Sequence, residues 1–273
     1  MTICHCGCSL PRHCERSLRR PFLGSRLRRD NLRQLPLCVL FCAALSTTAS
    51  AGPPFKTDDP EPVDLRHWEF YLASVGQYAA SASSATLPHI EVNYGAFPNV
   101  QLHVVAPMGF VRTSGSTAYG YSDTELGVKY RFLEESDASP QVGVFPLVEV
   151  PTGDREKQLG EGSMQAYLPL WLQKSWGKFT TYAGAGYWIS PGTGNRNSVF
   201  SGWEAQYDFS GTFTLGGELY YQSPVTEEGL STSGFNVGGF INFGEHDHIL
   251  FSAGHSFSGG SVTTAYLGFQ YTV

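Results

Sequence analysis

The stretch "EVNYGAFPNVQLHVV", residues 91–105, sets the strongest constraint on how this chain can fold. With Ile90 before it, Ile90, Val92 and Tyr94 and then Val100, Leu102 and Val104 share one side. Glu91, Asn93, Gln101 and His103 share the other. A repeat of two is the repeat of a β-strand, whose successive side chains point to opposite faces. Residues 96–98 between the two halves read as a tight turn, so the stretch reads as a hairpin with one greasy and one wet face. From His67 onward the same alternation dominates, and no segment shows a convincing helical period.

Twelve such runs can be marked: 67–78, 88–95, 99–108, 123–132, 140–150, 163–173, 178–189, 199–209, 212–222, 234–243, 248–257 and 263–273. The connections alternate in length. Those at 79–87, 109–122, 151–162, 190–198 and 223–233 are long, with a shorter one at 258–262. Those at 96–98, 133–139, 174–177, 210–211 and 244–247 are tight. An even strand count with long loops at one end and short turns at the other is the pattern of a membrane barrel.

The faces agree. One collects Trp68, Phe70, Leu72, Leu126, Val128, Tyr130, Leu168, Leu170, Leu172, Trp203, Leu219, Val237, Leu267 and Phe269. The opposite face carries Glu69, Glu91, His103, Glu125, Lys129, Arg131, Glu204 and Glu218, interleaved with glycines. A soluble sandwich would show the same alternation. Aromatics near strand ends (Trp68, Tyr94, Phe132, Trp176, Phe209, Phe243), the even count and an export signal favour lipid on the apolar side. Hydrocarbon then demands a closed barrel, because an open edge would leave backbone groups unpaired. The fold expected is all-β: a transmembrane antiparallel up-and-down barrel of about 12 strands over 67–273. Pro107, Pro146 and Pro169 each remove a ladder hydrogen bond, so bulges that shift the parity are expected there.

The beginning of the chain differs. All six cysteines, and Arg12, Arg16, Arg19, Arg20, Arg26, Arg28, Arg29 and Arg33, lie before position 52. A basic stretch, the apolar "LPLCVLFCAAL" at 35–45 and the small residues Ala49, Ser50 and Ala51 make a cleaved signal peptide over 1–51. The apolar run is shorter than the roughly 20 residues a helix needs to span a bilayer. The basic stretch exceeds the usual length, as a start further downstream would explain. "CHCGC" at 4–8 lacks the separated ligand pairs of a zinc site. Residues 52–66, "GPPFKTDDPEPVDLR", form an irregular lead-in that either plugs the mouth of the barrel or hangs free. Residues 52–273 keep ten basic and 22 acidic residues, a formal charge of −12, which argues against nucleic acid.

The strings "PPFKTDDPEP", "HWEFY", "EVNYGAFPNVQL", "SDTELGVKYRF", "FPLVEVPTGD" and "LPLWLQKSWGKFTTYAGAGYW" cover most of 53–188. In that order they resemble the bacterial outer-membrane family named for the meta-cleavage pathway of phenol degradation. The resemblance implies an outer-membrane barrel acting in transport of small organic molecules. It supplies no functional residues. Partners implied by the class are outer-membrane lipid, the barrel-assembly machinery and a small-molecule solute. The closing "GFQYTV" sets Tyr271 third from last, a weak form of the aromatic ending that machinery reads.

Candidate chemistry is therefore luminal. Beside the charged positions above stand Tyr71, Tyr167, Trp171, Tyr182, Trp188, Tyr220, Phe240 and Tyr266, with Phe145 and Phe200. These aromatics either line a path for aromatic solutes or fill the lumen, as side chains do in small barrels. Glu91 should face His103 across the 96–98 turn, a polar luminal pair. Glu204 and Glu218 should face each other across 210–211, narrowing the lumen and favouring cationic or neutral solutes. "GEHDH" at 244–248 is expected to be a solvated turn, and "PTGDREKQLGEG" at 151–162 an external loop without the spacing of a phosphate loop. His255 and Ser256 are strand neighbours that point to opposite faces, so they form no catalytic dyad. No metal, cofactor or enzymatic activity is expected. The reading is a channel for passive uptake of small hydrophobic or aromatic solutes. A structural or adhesive barrel with a filled lumen, and a membrane-barrel hydrolase, stand as alternatives.

Overall fold

The computed structural model describes residues 53–273. The signal-peptide expectation, and with it every cysteine, lies outside the described residues. Fourteen strands follow in chain order: β1 (Trp68–Ala79), β2 (Ala82–Phe97), β3 (Val100–Thr113), β4 (Thr117–Tyr121), β5 (Thr124–Leu133), β6 (Gln141–Val144), β7 (Leu147–Val150), β8 (Gln165–Trp176), β9 (Phe179–Ile189), β10 (Ser198–Asp208), β11 (Phe213–Gln222), β12 (Thr232–Asn242), β13 (Asp247–Ser258) and β14 (Val262–Thr272). Both β4 and β5 pair with β3, and both β6 and β7 lie between β5 and β8. Each couple is one barrel strand in two pieces, which makes twelve. Neighbours pair antiparallel, and β1 against β14 closes the ring. Every expected run has its strand.

Two expected loops are strand instead. β2 already begins at Ala82, and β3 runs on to Thr113 before pairing back with β4. "SASSATLP" and "VRTSGSTAYGY" lack apolar alternation because the barrel wall there has no hydrocarbon to face. Polar strand looks like loop when periodicity is the signal. The prolines also act less than expected. Pro169 lies inside β8 opposite Gly186 without a register shift. Pro146 does split its strand, but Val144 pairs with Leu170 and Leu147 with Tyr167, so the register is the same on both sides. In the Pro107 hairpin the irregularity falls on the partner strand, between Thr86 and His89.

The outer surface is apolar. Leu72 is 57% exposed, and Leu126, Leu168, Trp203, Leu219, Val237 and Leu267 are exposed with it. In water such a continuous band would be unstable; against lipid it is the required surface. Trp68, Phe132, Trp176, Phe209 and Phe243 ring the end where the chain's β-strands begin and finish. Tyr78, Tyr119, Tyr121, Tyr187 and Tyr221 ring the loop end. Trp68 and Tyr78 on one strand are separated by roughly 33 Å of extended chain, or about 25 Å along the axis at a usual tilt. That matches the ~25 Å apolar band of such barrels.

Candidate functional site in the barrel lumen

Every luminal residue expected from the alternation points inward. Tyr71, Tyr167, Trp171, Trp188, Tyr220 and Tyr266 are buried, as are Glu91, His103, Glu125, Lys129, Glu204 and Glu218. Glu69, Arg131, Tyr182 and Phe240 are partly buried. The aromatics gather in two groups. Phe145, Leu147, Tyr167, Trp171, Trp188, Phe200 and Tyr220 form one cluster along the wall from β7 to β11. Tyr167 stacks on Trp188 at 4.6 Å between ring centres, and Phe200 bridges Trp171 at 6.3 Å and Tyr220 at 6.5 Å. Tyr71, Ala73, Leu250 and Tyr266 form the other, with Phe240 against it. Luminal glycines make the room. A Cβ on Gly184 would collide with the Trp171 ring.

The lead-in does not hang free. It enters at the terminal end, where Leu65 bridges to Gly95, and runs up inside the barrel to Pro53. Its acids meet the two luminal cations. Lys129 Nζ lies 3.1 Å from Asp58 and 3.3 Å from Asp59, and Arg131 lies 3.4 Å from Glu61. Deeper in, the Lys56 and Thr57 backbone N–H groups and the Thr57 hydroxyl all donate to Glu218. Ser252 donates to the Pro54 carbonyl at 2.5 Å. Lys56 Nζ sits 4.2 Å over the Tyr220 ring, a cation–π contact. Gly202 lies beneath Thr57 and Gly143 beneath Pro60, where a side chain would displace the segment. Burial pushes the Asp58 carboxyl up to about 7, the Lys129 ammonium pulling it back and Asp59 adding to the rise. Burial likewise lowers the Lys56 ammonium, against the pull of Glu218.

Glu204 and Glu218 are paired across their hairpin, as the turn length implies. Their roles have separated: Glu218 holds the lead-in and accepts from Asn236 as well, at 2.5 Å. The other expected pairing is corrected. His103 faces Asn93, and Glu91 faces Val105, because β2 runs on into the assumed turn, to Phe97, which pairs with Val100. His103 still reaches Glu91 at 3.5 Å, and its other ring nitrogen lies 2.8 Å from Glu125. Asn93 completes the network, 2.7 Å from His103 and donating to Glu91 at 2.8 Å.

At the loop end, residues 151–162 fold back into the mouth. Leu159 is buried against the luminal face of Gly109 and Gly120, and the Gly153 and Glu161 N–H groups donate to Asp123. In the 244–248 turn, His246 contacts the Thr272 carbonyl and His248 contacts Asn242. Among the described residues no three metal-capable side chains converge. Ser256 bonds the Gly260 carbonyl and not His255. Ser261, unremarked in the sequence, lies 3.2 Å from His255 Nε2, and Thr263 stands at the other ring nitrogen, where a catalytic triad has an acid or amide.

Sequence reasoning missed the lead-in acids as luminal residues. One signal pointed to them: Lys129 and Arg131 are the two basic residues of the inward face, and "TDDPE" is a nearby source of carboxylates with no periodic structure of its own.

Between the lead-in and the wall at the terminal end lies a cavity of about 350 Å³. Asp59, Glu69, Glu91, Lys129, Tyr182 and Phe240 are among its lining residues.

No protein-family model matches the chain, and no curated protein does. Solved structures do. An outer-membrane channel from Pseudomonas putida F1 superposes with a TM-score of 0.65 at 15% identity, over 79% of this chain and 98% of that one. The NanC porin matches at 0.50 and 9% identity, over 74% and 98%. The translocator domain of the autotransporter NalP from Neisseria meningitidis matches at 0.50 and 11%, over 77% and 90%. At such identities the likeness is one of fold, that of outer-membrane barrels.

Proposed function

We propose that the chain is an outer-membrane channel for passive passage of small solutes of hydrophobic or aromatic character, with residues 53–66 as its internal plug. The observation that carries this reading is how the plug is held. Polar contacts and ion pairs tie it to the wall beside the buried Phe55, and such contacts can be replaced by bonds to water and solute, unlike those of a wholly apolar core. The aromatic cluster from Tyr167 to Tyr220 offers π-faces along the path, and no energy-coupling element is needed. In this orientation the terminal end faces the periplasm and the 151–162 loop faces outward. The resemblance to the phenol-degradation family fits the same solute class.

The filled-lumen alternative has its own support, since Trp171 and its neighbours are fully packed and the lead-in takes up the space beside them. Planar-bilayer conductance and vesicle uptake of phenol separate the two. The channel reading expects measurable phenol entry and a conductance that rises several-fold when residues 53–66 are deleted. A deletion variant that folds yet passes neither ions nor phenol overturns it.

A further inference from the structure

Near the terminal end of the lumen, one carboxylate of the plug stands among three wall side chains. Glu61 meets Arg131 from β5, Gln141 from β6 and Gln173 from β8. These three are neighbours on the inward face: Gln141 pairs with Gln173, and Arg131 pairs with Gly143, two residues on from Gln141. Arg131 Nη1 donates to Glu61 Oε1 at 3.4 Å. The Gln141 and Gln173 amide nitrogens donate to Glu61 Oε2 at 3.3 and 3.4 Å.

The wall itself sets the aim of these donors. Asn99 Oδ1 accepts from Arg131 Nε at 3.2 Å and from Nη2 at 2.8 Å, and Gln141 Oε1 accepts from Nη1 at 3.0 Å. An arginine only donates, so the Gln141 carbonyl turns to it and the Gln141 NH2 turns to the carboxylate. Gln141 is 3% exposed and Gln173 8%, so the site is built from buried polar groups. Glu61 is its loose member. The Glu61 side chain is 55% exposed against 21% for Arg131. All three of its bonds to the wall are longer than the ~2.7–3.2 Å usual for N–H···O. An ion pair this open to water holds its partners weakly.

We propose that Arg131, Gln141 and Gln173 form a binding site for the carboxylate of an aromatic acid, and that Glu61 occupies it as an internal stand-in. Exchanging one carboxylate for another leaves the charge of the lumen unchanged, with Glu61 passing into water. Guanidinium and amide donors set side by side suit the two oxygens of a planar carboxylate better than they suit a spherical anion. Glu61 and Gln173 also line the cavity of about 350 Å³, a volume in the usual range for small-molecule sites. Tyr182 lines it too, directly across from Gln173 on β9, and supplies a face for the ring of the acid. The inference deepens the channel reading, and rests on it for the view that the acid is a transported solute.

The test is calorimetric titration of the full detergent-solubilised protein, in a chloride-free buffer, with benzoate and with benzyl alcohol, its uncharged counterpart. Glu61→Ala removes the stand-in and should tighten benzoate at least tenfold over the parent, with the alcohol unchanged. Adding Arg131→Gln should abolish that gain. Glu61→Gln replaces the first variant, and Gln173→Leu the second, should either not fold. Equal binding of the two compounds in Glu61→Ala, heat from neither, an equal gain for both, a gain that survives the second substitution, or displacement of benzoate by equimolar chloride overturns the site. Conductance plays no part in this readout. A protein that binds benzoate but passes nothing would sink the channel and leave the site standing.

Discussion

Thr57 and Glu218, 161 positions apart, are joined twice: the backbone N–H and the hydroxyl of Thr57 both donate to one carboxylate oxygen at 2.8 Å. With the Lys56 N–H, this ties the lead-in to the middle of β11. Bonds to a charged acceptor contribute about 1.5–3 kcal/mol each. Glu218→Ala should therefore shift docking by on the order of 3 kcal/mol, more than a hundredfold in the docked population. Lys56 would then be open to trypsin. Mass spectrometry should find a cut after Lys56 in Glu218→Ala, and in Gly202→Val, but not in the parent. A parent cut as fast as the variants refutes the docked segment.

Trp171 is 0% exposed at the centre of the aromatic cluster. Truncation leaves a large hole, and Trp→Ala changes of this kind cost about 3–5 kcal/mol. Urea unfolding of Trp171→Ala from vesicles should show that loss. A change below ~1 kcal/mol would mean that the cluster is loosely packed.

Leu72 faces outward near the middle of β1, one residue from the luminal Tyr71. Leu72→Arg should destabilise the barrel in bilayers by about 2–4 kcal/mol, the cost of a midplane cation. An unchanged stability would remove lipid from that face.

Asp58 supplies a pH dependence. Its carboxyl is raised to about 7 when docked. Free in water it titrates near 4, so between the two the docked form binds the extra proton. Its contribution to docking is full below ~4 and is lost as pH rises through about 7. Conductance should be lower at pH 5 than at pH 8, and Asp58→Asn should flatten that step. A flat profile in the parent would show that Lys129 keeps the acid charged throughout.

Ser261 and His255 touch at the exposed rim without an acid or amide to orient the ring. A fluorophosphonate should not label the folded protein. Labelling at Ser261 that is lost in His255→Ala would instead make the barrel a hydrolase.

Alternation placed side chains on faces reliably, because a strand leaves no other choice once one residue is assigned. Trp171, Glu204 and Tyr266 all went inward as read, with Pro146 and Pro169 nearby causing no parity error. Register was harder. Glu91 and His103 were set opposite on an assumed turn, and two residues of extra strand moved the pairing to Asn93. Strand lengths at the loop end were also hidden, since "SASSAT" and "STAYGY" meet water and not hydrocarbon.

The sequence by itself determined the barrel: a two-residue repeat with an apolar outer face, an even count of runs, and Glu204 beside Glu218 across a short turn. Only the tertiary structure decided where residues 53–66 lie. That segment has no repeat, so nothing local fixes its course. Its path depends on acceptors and donors from β3, β5, β6, β8, β11 and β13 converging in one lumen, and such convergence exists only after the ring has closed.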